Sequence, residues 1–427
     1  MIWDRAMETM DRQRLRRVQE MRLRWTLNWA RERVPFYQER IDRIISSDDR
    51  DPIAYLKDIP FTTKKDLRAQ YPTGFFAVPR HELRRIHASS GTGGKPTMVG
   101  YTARDLAMWA EVVARSLAAA GARPGDMLHN AYGYGLFTGG LGLHAGAERM
   151  GLTVIPASGG GTERQVELLC DLRPEGLACT PSYALNLAET GLRLGGDPKT
   201  WGLKFAILGA EPWTEAMRQR IENALNVSAV DIYGLSEITG PGVAIECDQA
   251  KDGLHVFEDF FYMEIVDPKT GDAVSPGTLG ELVLTTLAKE AMPMVRYRTG
   301  DLVSLLDDPC ACGRTHRKIS RVVGRTDDML VVRGVNVFPS EIERVMLNLS
   351  TELEPNYQLA WEDGPMPRLV LEVESQTSNG LDPAWIARRL KEALRVSLEV
   401  RLLPPGTLVR APGKAIRVVD RRSTERK

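Results

Sequence analysis

The sequence has little cysteine, little histidine, no long apolar run and no net charge. Its five cysteines are an odd, sparse set in 427 residues and do not suit a disulfide framework. Reduced thiols in a cytoplasmic protein are the simpler expectation. No stretch of about 18 apolar residues occurs, so no transmembrane helix is expected. Met1-Ile2-Trp3-Asp4-Arg5 lacks the basic-then-apolar order of a secretory leader. Lys+Arg and Asp+Glu balance at 56 each, which removes any general attraction to nucleic acid or an anionic membrane. A local basic pocket for a phosphorylated ligand is still allowed. No internal repeat and no low-complexity tract is present.

What remains is an ordinary globular composition, 43% hydrophobic and 26% charged, in a chain long enough for two or three domains. Residues 1 to about 48 contain no glycine and one proline, Pro35, and are expected to be helical. Thr63 is placed to cap a helix opening at Lys64. Between about 85 and 235, short apolar runs such as Phe205-Ala206-Ile207-Leu208 and Val230-Asp231-Ile232-Tyr233 alternate with helical stretches at 104–120, 162–172 and 214–225. That alternation predicts an α/β layered domain with much parallel sheet. From about 255 to 323, β-rich runs at 261–266 and 280–286 are separated by Gly, Pro and Asp turns, which suggests a smaller β subdomain. The last hundred residues form another unit, with a strand at 369–374, a helix at 383–397 and a strand at 398–403.

The sharpest local feature is Ala88-Ser89-Ser90-Gly91-Thr92-Gly93-Gly94-Lys95-Pro96-Thr97. Its glycines let backbone N–H groups approach an anion, and its hydroxyls and Lys95 add donors and charge. A Gly/Ser surface loop would not need the Lys-Pro-Thr ending; a triphosphate site would. It is not a Walker A loop, which needs Gly six residues before the Lys and Ser or Thr directly after it. Those positions hold Ser89 and Pro96, so a P-loop switch or motor is disfavoured.

Further segments follow in order: Asn130-Ala131-Tyr132-Gly133-Tyr134-Gly135-Leu136-Phe137-Thr138-Gly139-Gly140, Gly209-Ala210-Glu211-Pro212, Asp231-Ile232-Tyr233-Gly234-Leu235-Ser236-Glu237, Tyr297-Arg298-Thr299-Gly300-Asp301-Leu302, Gly324-Arg325-Thr326-Asp327-Asp328 and Pro412-Gly413-Lys414-Ala415. With the glycine loop they resemble the adenylate-forming superfamily of acyl- and aryl-CoA ligases, and within it the phenylacetate–CoA ligase group. The resemblance covers nearly the whole chain. It departs at Thr92-Gly93-Gly94-Lys95, where relatives often carry Thr-Thr-Gly-Lys; backbone amides can take over the missing hydroxyl contact.

The resemblance implies a fold and a set of roles. The fold is α/β: a large N-terminal domain of layered α/β sheets with a β subdomain (1–326), and a small mobile α+β C-terminal domain (327–427). Ser89, Ser90, Gly91, Thr92, Gly93, Gly94 and Lys95 would hold ATP phosphates. Gly209, Ala210, Glu211 and Pro212 would lie against adenine, on which Tyr233 would stack. Asp231, Gly234 and Ser236 belong to the same nucleotide site, with Ser236 near the acyl-phosphate. Glu237 would bind Mg²⁺, as a carboxylate suits. Asp301 would accept from both ribose hydroxyls, Arg325 would contact the nucleotide, Asp327 would be the hinge, and Gly334 would line the coenzyme A tunnel. Lys414 would serve adenylation alone. Tyr132, Tyr134, Phe137, Gly139 and Leu143 would line the acid pocket, with flat walls for an aromatic ring; Leu143 and Ala145 would adjust its shape. Ser340 is expected to N-cap a helix opening with acids.

The implied activity is AMP-forming: ATP and Mg²⁺ convert an aromatic or arylacetic acid to an acyl-adenylate, and coenzyme A takes the acyl group. CoA's own thiol is the nucleophile, so none of the cysteines is given a covalent role. A carrier-protein thiol as acceptor, or a catalytically silent homologue, are the alternatives. Cys310-Ala311-Cys312-Gly313, with Cys247 and His255 (or His316) before and after it, fits a structural Cys₃His zinc site, which some relatives carry. Reduced, partly buried thiols are the other reading. The N-terminal helices look exposed enough to offer a homodimer surface.

Overall fold

The computed structural model describes residues 1–44, 51–89, 95–332, 335–363, 368–376, 380–410 and 415–422. Ser90, Gly91, Thr92, Gly93, Gly94, Gly334 and Lys414 lie outside the described residues.

A 12-stranded sheet organises the larger part of the chain. Its parallel half runs Thr153–Ile155, Met127–Asn130, Gly176–Cys179, Phe205–Gly209, Ser228–Leu235. Helices Gly139–Met150, Pro181–Arg193 and Glu215–Leu225 make the crossovers that parallel neighbours require. The strands Gly176–Cys179 and Phe205–Gly209 are buried at every residue, as expected of unbroken apolar runs covered on both faces. Beyond Ser228–Leu235 the sheet turns antiparallel, through Thr239–Glu246, Leu254–Val256, Lys318–Ile319, Tyr297–Leu306 and Leu279–Thr286, to Phe261–Val266. The β-rich region is therefore continuous with the parallel layer.

The smaller C-terminal α/β domain has a four-stranded sheet ordered Glu399–Leu403, Arg368–Ser375, Leu353–Glu362, Val418–Asp420, with helices Pro339–Leu349 and Pro383–Leu394. The strand Leu353–Glu362 has an alternating burial pattern but contains Pro355, the kind of residue that argues against a strand in sequence. A register shift between Leu353 and Tyr357 accommodates it.

One expectation is corrected here. Helix Pro339–Leu349 starts one residue before Ser340 and its N-cap is Phe338. Pro339 supplies a helix-ready φ at the first position, and Glu341 Oε2 accepts the Phe338 N–H at 3.0 Å. The Ser340 hydroxyl instead donates to the Val323 carbonyl. The N-terminal helix Arg12–Arg33 buries Leu15, Leu23, Leu27 and Ala30 against its own chain and leaves Arg14, Arg17 and Met21 on an exposed face. Its polar side chains make the same contact, Arg12 to the Glu258 carboxylate and Gln19 Nε2 to the Glu258 carbonyl at 2.9 Å. Arg12 and Arg22 are bound to the buried acids Glu258 and Asp259.

Candidate active site

The ends of the parallel strands gather most of the residues singled out above. Gly209 closes one of them; a Cβ there would stand 2.2 Å from the Ile232 carbonyl oxygen, so only glycine lets the neighbouring strand approach. Ala210 follows with φ +72°, strained for a residue with a Cβ and of the kind that clusters at functional turns. Glu211 Oε1 then accepts the Ser182 N–H at 2.7 Å, and Oε2 accepts the Ala415 N–H at 3.0 Å. Ser182 stands in the first turn of helix Pro181–Arg193, where backbone donors have no partner within the helix.

Strand Ser228–Leu235 carries Asp231 and Tyr233. Burial, then the neighbouring Glu246 carboxylate, pushes the Asp231 carboxyl up to about 7. The Tyr233 hydroxyl donates to Asp301 Oδ2 at 2.6 Å; burial and that carboxylate push the phenol well above its ordinary range. Arg325 Nη1 donates to Asp301 Oδ1 at 2.5 Å, Nη2 to the Thr299 carbonyl at 3.2 Å and Nε to Asp327 Oδ1 at 2.9 Å. Tyr233, Asp301, Arg325 and Asp327 thus form one chain of contacts.

Ser236 and Glu237 lie in the turn after that strand, both buried. The Glu237 carboxylate faces Tyr297, Tyr101 and Lys289. The motifs gave no hint of Lys289. It is fully buried, its Nζ donates to the Glu237 and Ile238 carbonyls at 3.1 and 2.9 Å, and it lies 4.7 Å from the centre of the Tyr101 ring. Burial lowers it to about 8, against the pull of Asp105 and Glu237. Tyr101 stacks on Trp109 at 4.9 Å.

The aromatic segment is held by Asn130, whose Nδ2 donates to Tyr134 Oη at 2.8 Å and to the Gly140 carbonyl at 2.9 Å. Tyr134 Oη also meets His144 Nδ1 at 3.1 Å. Tyr132, Gly139 and Leu143 are buried, Leu143 within the main core, and Phe137 is exposed. Gly142 and Gly146 let helix Gly139–Met150 lie directly on Trp109 and Val113: a Cβ at either would come within 2.3 Å of those side chains.

The stems of the glycine loop are antiparallel strands Arg85–Ala88 and Met98–Tyr101. Ser89 N–H donates to the Thr97 carbonyl at 3.0 Å, and Ala88 N–H to the Leu136 carbonyl at 2.9 Å, which ties the loop to the aromatic segment. Lys95 Nζ lies 4.9 Å from the centre of the Tyr71 ring.

The cysteine–histidine cluster sits elsewhere, at the antiparallel half of the sheet. One ligand atom each from Cys247, His255, Cys310 and Cys312 lies within 4.8 Å of the others. Cys247 Sγ is 3.5 Å from Cys310 Sγ, and Cys312 Sγ is 3.4 Å from His255 Nε2. Tetrahedral zinc places its ligand atoms about 3.5–3.8 Å apart. His255 Nδ1 faces the His316 carbonyl at 3.1 Å, the outer contact that turns Nε2 of a metal-binding histidine inward. His316, the rival ligand, stays outside the cluster among the described residues.

The small domain is held over the strand ends. Thr214 Oγ1 donates to Glu343 Oε1 at 3.4 Å, Arg220 Nη1 to the Leu353 carbonyl at 2.6 Å, and Arg410 pairs with Glu189 at 3.2 Å. Burial pushes the Glu343 carboxyl up to about 7, against nearby Arg417.

Comparisons with known proteins agree with this architecture. A family model described as AMP-binding enzyme matches residues 43–288, and one described as AMP-binding enzyme C-terminal domain matches residues 334–422. The chain is 51% identical to the phenylacetate-coenzyme A ligase of Thermus thermophilus, over 99% of this chain and 100% of that protein. The crystal structure of a 2-hydroxyisobutyryl-CoA ligase in the postadenylation state, with 2-HIB-AMP, is 29% identical and superposes with a TM-score of 0.91 over 98% of this chain and 92% of that one. The same ligase in the thioesterification state, with 2-HIB-AMP and CoA, gives 0.73 over 99% and 92% at 29% identity. The relative placement of the two domains here is thus nearer the postadenylation arrangement.

Proposed function

The chain belongs to the phenylacetate–coenzyme A ligase family of AMP-binding enzymes, and on that premise we propose that it joins an aromatic or arylacetic acid of the phenylacetate kind to coenzyme A through an acyl-adenylate. The observation that carries this reading is the convergence of Tyr233, Glu237, Asp301 and Arg325 at the strand ends, with the backbone next to Lys414 bonded to Glu211.

A carboxylate is a poor electrophile because its leaving group would be oxide. Attack of the carboxylate on the α-phosphorus of ATP releases pyrophosphate and makes a mixed anhydride. Negative charge on the phosphoryl oxygens is then met by Lys414, by Lys95 and by the amides of the loop from Ser89 to Gly94. Glu237 supplies the carboxylate that would hold Mg²⁺; bound there, the ion would neutralise phosphate charge. Asp301, held in place by its bonds to Tyr233 and Arg325, is the carboxylate that would accept the ribose diol. The backbone of the turn from Gly209 to Pro212 offers a flank for adenine. Tyr132, Tyr134 and Phe137 would face the acid. In the second step the small domain, from residue 327 on, would turn about Asp327 and bring Gly334 to the coenzyme A path.

A panel of aryl and arylacetic acids tests the reading. With ATP and Mg²⁺, at least one acid is expected to drive AMP release that depends on CoA. Pyrophosphate exchange without CoA-dependent turnover would point to a carrier-protein acceptor instead. The setting would be cytoplasmic.

The donor set of Cys247, His255, Cys310 and Cys312 fits a structural zinc, with no open position for chemistry. Elemental analysis is expected to find about one zinc per chain. Cys312→Ser is expected to lower both zinc content and Tm; metal-free protein with an unchanged Tm would contradict the site.

A further inference from the structure

We infer that Glu211 is a latch that holds the small domain in the adenylating arrangement, acting on the reaction through Lys414; the inference rests on the adenylating role proposed for that lysine. Resemblance groups Glu211 with the adenine-binding turn, but in the structure both of its carboxylate oxygens are occupied by backbone donors. One is the Ser182 N–H of the large domain, at 2.7 Å. The other is the Ala415 N–H of the small domain, at 3.0 Å and 204 residues away. The first bond fixes the carboxylate against a helix N-terminus; the second carries that fixed point across the domain boundary.

The position of the second bond matters. The amide nitrogen of Ala415 is covalently joined to Lys414, so anchoring it restrains the backbone from which the lysine side chain extends. Of the other domain contacts, Thr214 with Glu343 and Arg220 with Leu353 reach helix Pro339–Leu349 and strand Leu353–Glu362, and the surface pair of Arg410 with Glu189 lies four residues before Lys414. Arg417, two residues on, is lowered by its burial but raised overall by Tyr357, then by the Glu343 and Glu211 carboxylates. A charged acceptor bonded to Ala415 serves only while the loop is docked. Rotation for thioester formation must break it, and the domain placement seen here is the one nearer the postadenylation state. The bond therefore stabilises one half-reaction and not the other.

The test compares Glu211→Ala, Glu211→Gln and Lys414→Ala in both half-reactions, using phenylacetate, or whichever acid the panel selects, and its synthetic acyl-adenylate. Loss of a hydrogen bond to a charged group predicts that Glu211→Ala slows acid-dependent ATP–pyrophosphate exchange about tenfold to hundredfold, in kcat rather than in KM for ATP. Thioester formation from supplied acyl-adenylate and CoA should fall by less than about threefold on the same reasoning. Glu211→Gln keeps one acceptor oxygen and should recover part of the loss. A rise in KM for ATP at unchanged kcat would make Glu211 a nucleotide contact and overturn the latch; equal loss in both half-reactions would make it merely structural and also overturn it. If Lys414→Ala separates the half-reactions and Glu211→Ala does not, the latch fails alone. If Lys414→Ala does not separate them, the adenylation reading itself has failed.

Discussion

Lys414→Ala is expected to lower acid-dependent pyrophosphate exchange by about 10²–10³, the usual loss on removing one preorganised contact to developing charge. Thioester formation from a supplied acyl-adenylate should survive. The asymmetry follows from what each step needs. In adenylation the α-phosphoryl oxygens gain charge and an incoming carboxylate must be held beside them, so a cation is needed at that point. In thioester formation the electrophile already exists, and the thiol has to approach the carbonyl from the side the lysine occupied. The residue next to it, Ala415, is tied to the strand ends by Glu211. Stopped-flow or isotope-exchange rates for the two half-reactions decide the matter; equal losses would refute the role.

Glu237→Gln should produce a loss of similar size, about 10²–10³ in adenylation at ordinary Mg²⁺, but by a different route. The substitution keeps shape and removes charge. It should leave the turn in place, because Lys289 holds the backbone carbonyls of residues 237 and 238 rather than the side chain. The defect should therefore appear as a higher Mg²⁺ requirement, with activity partly restored as Mg²⁺ is raised. Lys414→Ala should show no such recovery. A Glu237→Gln enzyme with an unchanged Mg²⁺ titration would remove Glu237 from the metal site.

Features set by local chemistry were legible in the sequence. Strands at 205–208 and 261–266 are fully or alternately apolar and recur as Phe205–Gly209 and Phe261–Val266. Thr63 caps helix Lys64–Ala69 and exchanges hydrogen bonds with Asp66, as a local rule requires. Features that depend on distant partners were not legible. Lys289 looks like a surface residue beside Glu290, yet it is buried because carbonyls 51 and 52 residues away receive its protons. The choice between His255 and His316 depends on strand pairing, since Lys318 stands opposite His255 and carries the Cys310–Cys312 turn onto that strand. Pro355 masks the strand Leu353–Glu362 in the sequence, and Ser340 is not the cap because Pro339 can open a helix without one. The bond from Glu211 to Ala415 joins two motifs that the sequence offers separately.

The most direct measurement is of the products formed from phenylacetate, ATP, Mg²⁺ and CoA, separated by chromatography and identified by mass. AMP and phenylacetyl-CoA are expected in equal amounts, each dependent on the acid and on CoA, with no ADP. Formation of ADP, or the absence of AMP and thioester with phenylacetate and with every related aromatic acid, would contradict the proposed function.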